Sequence, residues 1–192
     1  TCILFSLCDG QINNNIKKVV IGSQDPNKLV SGSGIEKLRS SGCKVSVGIM
    51  DKECDKLNKR FFTYHKLKRP FIILKWAESK DGFISPIKSF NTLKKVNWIS
   101  GEDAKKLSHK WRSEEHSILV GVQTIIDDDP VLTTRFVKGR SPIRFVLDPN
   151  SRIPLNSRIL SDTVKTIILS KKENKLIPNY TKAIEFDNIN LI

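Results

Sequence analysis

Residues Ser117 to Val122 read Ser-Ile-Leu-Val-Gly-Val, an apolar run without polar alternation. A strand with one wet face alternates, whereas a strand covered on both faces does not. The run therefore predicts a buried strand of a parallel sheet with helices on each side, which is an α/β fold. It opens into a connecting loop that carries three carboxylates (Asp127, Asp128, Asp129), Pro130, Leu132, Thr133, Thr134 and Arg135. In open α/β sheets, ligands bind where the chain leaves the carboxyl ends of the strands. Thr124, the acidic acceptors, Leu132 and Arg135 supply a hydroxyl, fixed acceptors, an apolar platform and a cation. That set suits a ligand with a polar ring and a phosphate. The competing reading is an acidic turn that caps the next element, since Asp-Pro is ordinary turn chemistry.

The chain has 192 residues, 39% hydrophobic and 28% charged, enough for one domain or two small ones with a real core. No apolar run approaches the roughly 18 residues of a membrane span. The start, Thr1-Cys-Ile-Leu-Phe-Ser-Leu, lacks the basic n-region of a signal peptide. Four cysteines (Cys2, Cys8, Cys43, Cys54) form no C-x-x-C pair, so reduced thiols in a cytoplasmic protein are expected. Thirty-three Lys and Arg against 20 Asp and Glu give a net charge of +13. The lysines are scattered, and no arginine-rich arm or aromatic-studded stripe accompanies them, which argues against nucleic acid. A diffuse positive field equally attracts phosphorylated metabolites. The chain begins at Thr1 and its only methionine is Met50, as expected of a fragment or a processed chain.

Along the chain, residues 16–22 read as a strand that ends in the turn Ser23-Gln-Asp-Pro-Asn27. A short helix follows from Ile35, closed by Gly42 as its C′ residue. Residues 43–49 alternate as a strand, and Asp51 caps a helix that runs through Cys54, Leu57 and Phe61. Lys66 to Arg69 form a basic linker that ends at Pro70, a domain boundary. Residues 71–77, Phe-Ile-Ile-Leu-Lys-Trp-Ala, read as an apolar strand broken only by Lys75, followed by a turn at Gly82. Lys75 is either functional or a snorkelling edge lysine. Ser100 and Asp103 have capping-box spacing. They lead a helix whose inward stripe is Ala104, Leu107, Ser108 and Trp111, with Arg112 near its end. His109 and His116 read as solvated or satisfied histidines. Further strands are read at 141–148, 166–170 and 183–186.

Several segments carry a family resemblance: Gln-Asp-Pro-Asn27, Leu57-Asn-Lys-Arg-Phe-Phe62, Lys75-Trp-Ala-Glu-Ser-Lys-Asp-Gly82, the Trp98-Ile-Ser helix with Arg112, and residues 124–135. Together they resemble the bacterial bifunctional riboflavin-biosynthesis deaminase/reductases. The resemblance implies the carboxyl-terminal part of a cytidine-deaminase-like domain over residues 1–67. A partial dihydrofolate-reductase-like domain follows over 68–192. The implied reaction is NADPH-dependent reduction of 5-amino-6-(5-phosphoribosylamino)uracil to the ribitylamino product. On this resemblance Lys75 stands at the reacting centre; Ala77, Trp98, Thr124 and Asp128 contact the cofactor; and Arg112, Leu132 and Arg135 hold the substrate.

The deaminases of this family hold zinc through H-x-E and P-C-x-x-C-type motifs, and neither motif occurs here. No metal is therefore expected, and Cys8 reads as packing or a frayed end. In place of a small hydroxylated residue after Asp148, this chain has Pro149. The last glycine is Gly139, so the family's Glu-Gly-Gly-type phosphate segment is absent from these residues. Alone, the chain is expected to be weakly active or inactive. Neither nucleic acid nor membrane is an expected partner, and a homo-oligomer is left open. The alternatives are deamination by the intact parent protein or a non-catalytic basic fragment.

Overall fold

The computed structural model describes residues 2–27, 30, 32–85, 99–171 and 181–185. The chain divides into two compact units, Thr1–Lys75 and Trp76–Ile192. Each has its own parallel sheet and its own apolar cluster.

The first unit runs α1 (Cys2–Asn13), β1 (Lys18–Ile21), α2 (Ser33–Ser40), β2 (Lys44–Val47), α3 (Asp51–Leu57) and α4 (Lys59–Leu67). β1 and β2 pair in parallel, with Val19 opposite Val45. The Gln24–Asn27 motif is a turn, in which the Asn27 amide donates to the Asp25 carboxylate at 2.8 Å. At the end of α2, Gly42 takes φ 83. Its N–H donates to the Arg39 carbonyl at 3.0 Å and that of Cys43 to the Leu38 carbonyl at 3.1 Å. This is the Schellman closure, which needs a residue at ease in the left-handed region, and Gly42 is the expected C′ residue. Leu38 and Cys43 then bury against Cys8, with Ile12, Val19 and Val45 packed around them. Cys8 is thus a core side chain of α1.

Three expectations for this part of the chain are corrected. Asp51 does not cap its helix: Met50 is the N-cap at φ 61, and no side chain bonds there. The helix also fails to run through to Phe61, because Asn58 interrupts it. The Asn58 side-chain amide donates to the Cys54 carbonyl at 3.2 Å and competes with the backbone for that acceptor. The apolar run at 71–77 is not a strand either. None of the described strands pairs with it, and Ile72, Leu74 and Trp76 are 59%, 78% and 64% exposed. Apolar composition alone cannot make a strand, since its backbone groups need a ladder partner.

The second unit comprises α5 (Glu102–Glu114), β3 (Ser117–Gly121), α6 (Val122–Asp128), β4 (Ile143–Leu147), β5 (Thr166–Ser170) and β6 (Thr181–Glu185). A 3-10 turn at Arg158–Leu160 precedes β5. The four strands lie in sequence order and all pair in parallel, with Leu119 opposite Phe145 and Phe145 opposite Ile167. The core gathers Val122, Ile125, Leu132, Val146, Ile153, Ile159, Leu160 and Ile168.

β3 is therefore a strand of a parallel sheet, but it is not covered on both faces. Among the described strands it lies at the sheet edge, with Leu119 60% exposed and Ile118 and Val120 packed on the core. Among strands whose burial is described, β5 is the covered one, with Thr166, Ile167, Ile168 and Ser170 all buried. The helix before β3 also differs from the reading. Gly101 is the N-cap, with no side-chain capping bond. The expected inward stripe forms only in part: Ala104 and Leu107 are exposed, Ser108 and Trp111 are half-buried, and the buried residue of α5 is His109. The helix has to cover a polar loop rather than an apolar face, so a hydrogen-bonding side chain takes the inner position.

Candidate functional site

The acidic segment after β3 is a helix rather than a loop. Gly121 leads into α6, and Val122 and Ile125, three residues apart, bury on the core. The helix stops at Asp129, which takes φ 41 and donates its N–H to the Ile125 carbonyl at 3.1 Å. Pro130 then cannot continue it. Thr124 and Asp128, four residues apart, share one helix face. Thr124 is half-buried and Asp128 exposed. Asp129 acts structurally, since its carboxylate accepts the Arg158 N–H at 2.8 Å and ties the end of α6 to the 3-10 turn.

Leu132 is 5% exposed and belongs to the core, yet takes φ 58. A non-glycine residue in the left-handed region costs roughly 1–2 kcal/mol and persists only where its surroundings hold it. Burial of the leucine side chain is one restraint. The other is Arg144, whose Nη1 donates to the neighbouring Val131 carbonyl at 2.9 Å.

Beyond Leu132 the chain closes over α5. The Arg135 backbone N–H donates to His109 Nδ1 at 3.0 Å, and Arg112 Nη1 donates to the Thr133 carbonyl at 3.2 Å. His109 Nε2 lies 3.3 Å from Arg112 Nη1, and the Phe136 ring stands edge-on to the imidazole at 4.6 Å. The Arg135 guanidinium is exposed and, among the described residues, donates only to the Thr133 hydroxyl, at 3.5 Å. Thr134 fastens the loop behind: its N–H donates to Ser141 Oγ at 3.1 Å and its hydroxyl to the Arg140 carbonyl at 3.0 Å.

The electrostatics follow from this crowding. Burial, then the Arg112 and Arg135 charges, push the His109 ring down from 6.5 to about 4. Burial, then Arg135, lowers the Arg112 guanidinium below its ordinary value. At neutral pH the site is thus two cations around an uncharged imidazole, a field that favours an anion.

Of the residues expected from sequence, Arg112 and Arg135 meet through His109, while Thr124 and Asp128 share α6. Leu132 stands between the two groups along the chain, with its side chain committed to the core. Lys75 belongs to the first unit and is exposed. Ala77 is half-buried in the extended stretch that opens the second unit, ahead of the turn where Gly82 takes φ 83. Trp98 lies outside the described residues.

Three side chains at or beside the site were given no functional role from sequence. His109 stands three residues before Arg112, a spacing that puts both on one face. Arg144 interrupts an apolar strand. Asp148, fully buried at the end of β4, accepts the Arg152 and Ile153 N–H groups at 2.9 Å each and folds the loop after that strand. Among the described residues, no three His, Cys, Asp or Glu side chains gather as a metal-binding group.

The family model described as the RibD C-terminal domain matches residues 70–187. The riboflavin biosynthesis protein RibD of Aquifex aeolicus is 42% identical over 169 residues, which cover 87% of this chain and 46% of that protein. RibD of Actinobacillus pleuropneumoniae is 39% identical over 149 residues, covering 78% and 38%. Among solved structures, a Thermotoga maritima diaminohydroxyphosphoribosylaminopyrimidine deaminase/5-amino-6-(5-phosphoribosylamino)uracil reductase superposes with TM-score 0.82 at 34% identity. It covers 94% of this chain and 50% of its own. Acinetobacter baumannii RibD gives TM-score 0.81 at 27% identity, covering 95% and 51%. The chain spans about half the length of the curated relatives it matches.

Proposed function

Because the chain belongs to the RibD C-terminal domain family, we propose that it serves in riboflavin biosynthesis as part of a reductase. The reaction is NADPH-dependent reduction of the ribosyl carbonyl of 5-amino-6-(5-phosphoribosylamino)uracil. The second unit is then the first part of a dihydrofolate-reductase-like domain, taken from residue 68. Residues 1–67 are the end of a cytidine-deaminase-like domain. The observation that carries the reading is the convergence of Arg112 and Arg135 on His109, which leaves an exposed guanidinium beside a second cation for an anionic substrate.

The roles of the individual residues follow the family resemblance. Arg112 and Arg135 hold the phosphorylated substrate, with charge-assisted bonds of the kind a guanidinium makes to phosphate. Leu132, its side chain buried, offers the substrate its backbone in the left-handed conformation. Thr124 and Asp128 suit a nicotinamide nucleotide, since a hydroxyl and a carboxylate one turn apart can meet its amide and hydroxyl groups. Ala77 and Trp98 are the remaining cofactor contacts, and Lys75 is the polar group at the reacting centre. NADPH, when bound, supplies the hydride, and the protein contributes binding, orientation and electrostatics.

The test is NADPH oxidation with the phosphoribosylaminouracil substrate, catalysed by the gene product that contains this chain. Turnover that collapses in Arg112→Ala is expected. A folded protein that binds neither NADPH nor the substrate would overturn the assignment.

A further inference from the structure

The two contacts of the His109 ring cannot both be hydrogen bonds. A backbone N–H can only donate, so the 3.0 Å contact from Arg135 requires the lone pair on Nδ1. In a ring with one proton, that proton is then on Nε2. Nε2 lies 3.3 Å from Arg112 Nη1, which is also a donor. Two donors thus face one space in a ring that is 4% exposed. The Thr133 carbonyl takes one proton of Arg112 Nη1, and among the described residues no contact supplies an acceptor to His109 Nε2. Facing donors around a buried ring are satisfied by an acceptor oxygen that takes a bond from each, and an anionic oxygen best offsets the adjacent guanidinium.

We propose that His109 positions and completes an anion subsite: Nδ1 anchors the Arg135 backbone, and Nε2–H joins Arg112 in donating to one oxygen of a phosphate monoester. This rests on the reading of Arg112 and Arg135 as substrate ligands and adds a third donor to them. The ring couples the two arginines, because the nitrogen that fixes the Arg135 loop also decides which nitrogen carries the proton. His109 replaces two interactions that no single smaller side chain reproduces. An asparagine oxygen stands near the place of Nδ1, and a glutamine nitrogen near that of Nε2.

The experiment is a titration of the full chain, labelled with 15N-histidine, with ribose 5-phosphate, inorganic phosphate and unphosphorylated ribose. His65 and His116 serve as internal references, and the His109→Asn spectrum assigns the third ring. The free protein at pH 7 is expected to show His109 protonated at Nε2 alone. Ribose 5-phosphate should move that Nε2–H resonance, and ribose should not. Inorganic phosphate that moves it as strongly would assign the subsite to the phosphate group itself; a tighter response to ribose 5-phosphate would assign it to the phosphorylated sugar. Both results support the role.

His109→Asn, which keeps the acceptor and loses the donor, should weaken ribose 5-phosphate binding about tenfold. His109→Gln, which keeps a donor near Nε2, should bind within about threefold of the original. A ring protonated at Nδ1, or a His109→Asn protein that binds ribose 5-phosphate as tightly as the original, would overturn the inference. Arg135→Ala measured alongside separates the two failures. If Arg135→Ala loses affinity while His109→Asn does not, the substrate-site reading stands and the role of the ring falls. If the unsubstituted chain ignores ribose 5-phosphate, both fall.

Discussion

Arg144 and Asp162 meet in a two-point contact, Nη1 to Oδ2 at 3.0 Å and Nη2 to Oδ1 at 2.7 Å, with the arginine wholly buried. The same guanidinium donates to the carbonyls of Val131, Ile159 and Val164 and to the Thr166 hydroxyl. It therefore joins β4, β5, the 3-10 turn and the strained turn at Leu132. A buried cation is tolerable only when paired and fully hydrogen-bonded, and removing one partner leaves the others stranded. Arg144→Ala is expected to cost about 3–5 kcal/mol of stability, measured by urea unfolding. Arg144→Lys should recover little, since a point charge cannot replace the planar fork. An unchanged unfolding midpoint in Arg144→Ala would refute the assignment of this network as a structural anchor.

His109 makes stability depend on pH in a defined window. Its folded value is lowered from 6.5 to about 4, so between those limits the unfolded chain binds the extra proton more readily than the native one. Stability from this group is fully present above about pH 6.5 and is lost as the pH falls toward 4. By pH 5 the loss should be about 2 kcal/mol. His109→Asn removes the titrating ring while leaving an acceptor for Arg135. Its stability should fall less steeply than the original across the same window, as read from denaturant midpoints at half-unit pH steps. Parallel curves for the two proteins would mean that the ring is protonated in the fold.

The parts that were legible in the sequence are those decided by local chemistry. Asp25 turns the chain through its own carboxylate, Gly42 and Gly82 take positive φ where a turn needs it, and β3, β4 and β5 lie where their apolar runs fall. What depends on distant partners was not legible. The composition of β3 announces a strand but cannot say that only one of the described strands pairs with it. The run at 71–77 is as apolar as β3, yet none of the described strands pairs with it. Three aspartates before a proline look like a turn, but burial of Val122 and Ile125 makes them the end of a helix. His109 sits among Ser108, Lys110 and other polar residues of α5, and only the return of the chain at Arg135 buries it. Thr124 and Asp128 could be joined by helical spacing once α6 is known. Arg112 and Arg135 are brought to His109 by a nonlocal contact that no local pattern shows.

Gly139 offers a test of how tightly that returning loop fits α5. A Cβ on Gly139 would stand 2.5 Å from Ser113 Cβ, beside Arg112, and the backbone there has φ 154. Neither atom is the end of a flexible chain, so helix and loop must separate. Gly139→Ala should destabilise by about 1–3 kcal/mol. Ser113→Gly placed in the same protein should recover part of that loss, which a double-mutant cycle reads as a coupling energy. Strictly additive effects would show that the two positions do not meet.

Arg135 bears most directly on the proposed reductase. Its loop is anchored through its own backbone N–H to His109, so Arg135→Ala leaves the anchor in place and removes only the guanidinium. If that group holds the substrate phosphate, its loss should cost about 2–4 kcal/mol in kcat/KM, the range for one partner of a desolvated charged pair. The phosphate is remote from the reducing carbon, so the change should fall mainly on the substrate KM, with NADPH affinity nearly unaltered. Arg135→Lys should restore part of the loss. An exposed arginine with no ligand would instead give a change below about 1 kcal/mol. Steady-state kinetics on the gene product that contains this chain, with substrate and NADPH varied separately, decides between the two. A change confined to NADPH would assign the loop to the cofactor instead of the substrate.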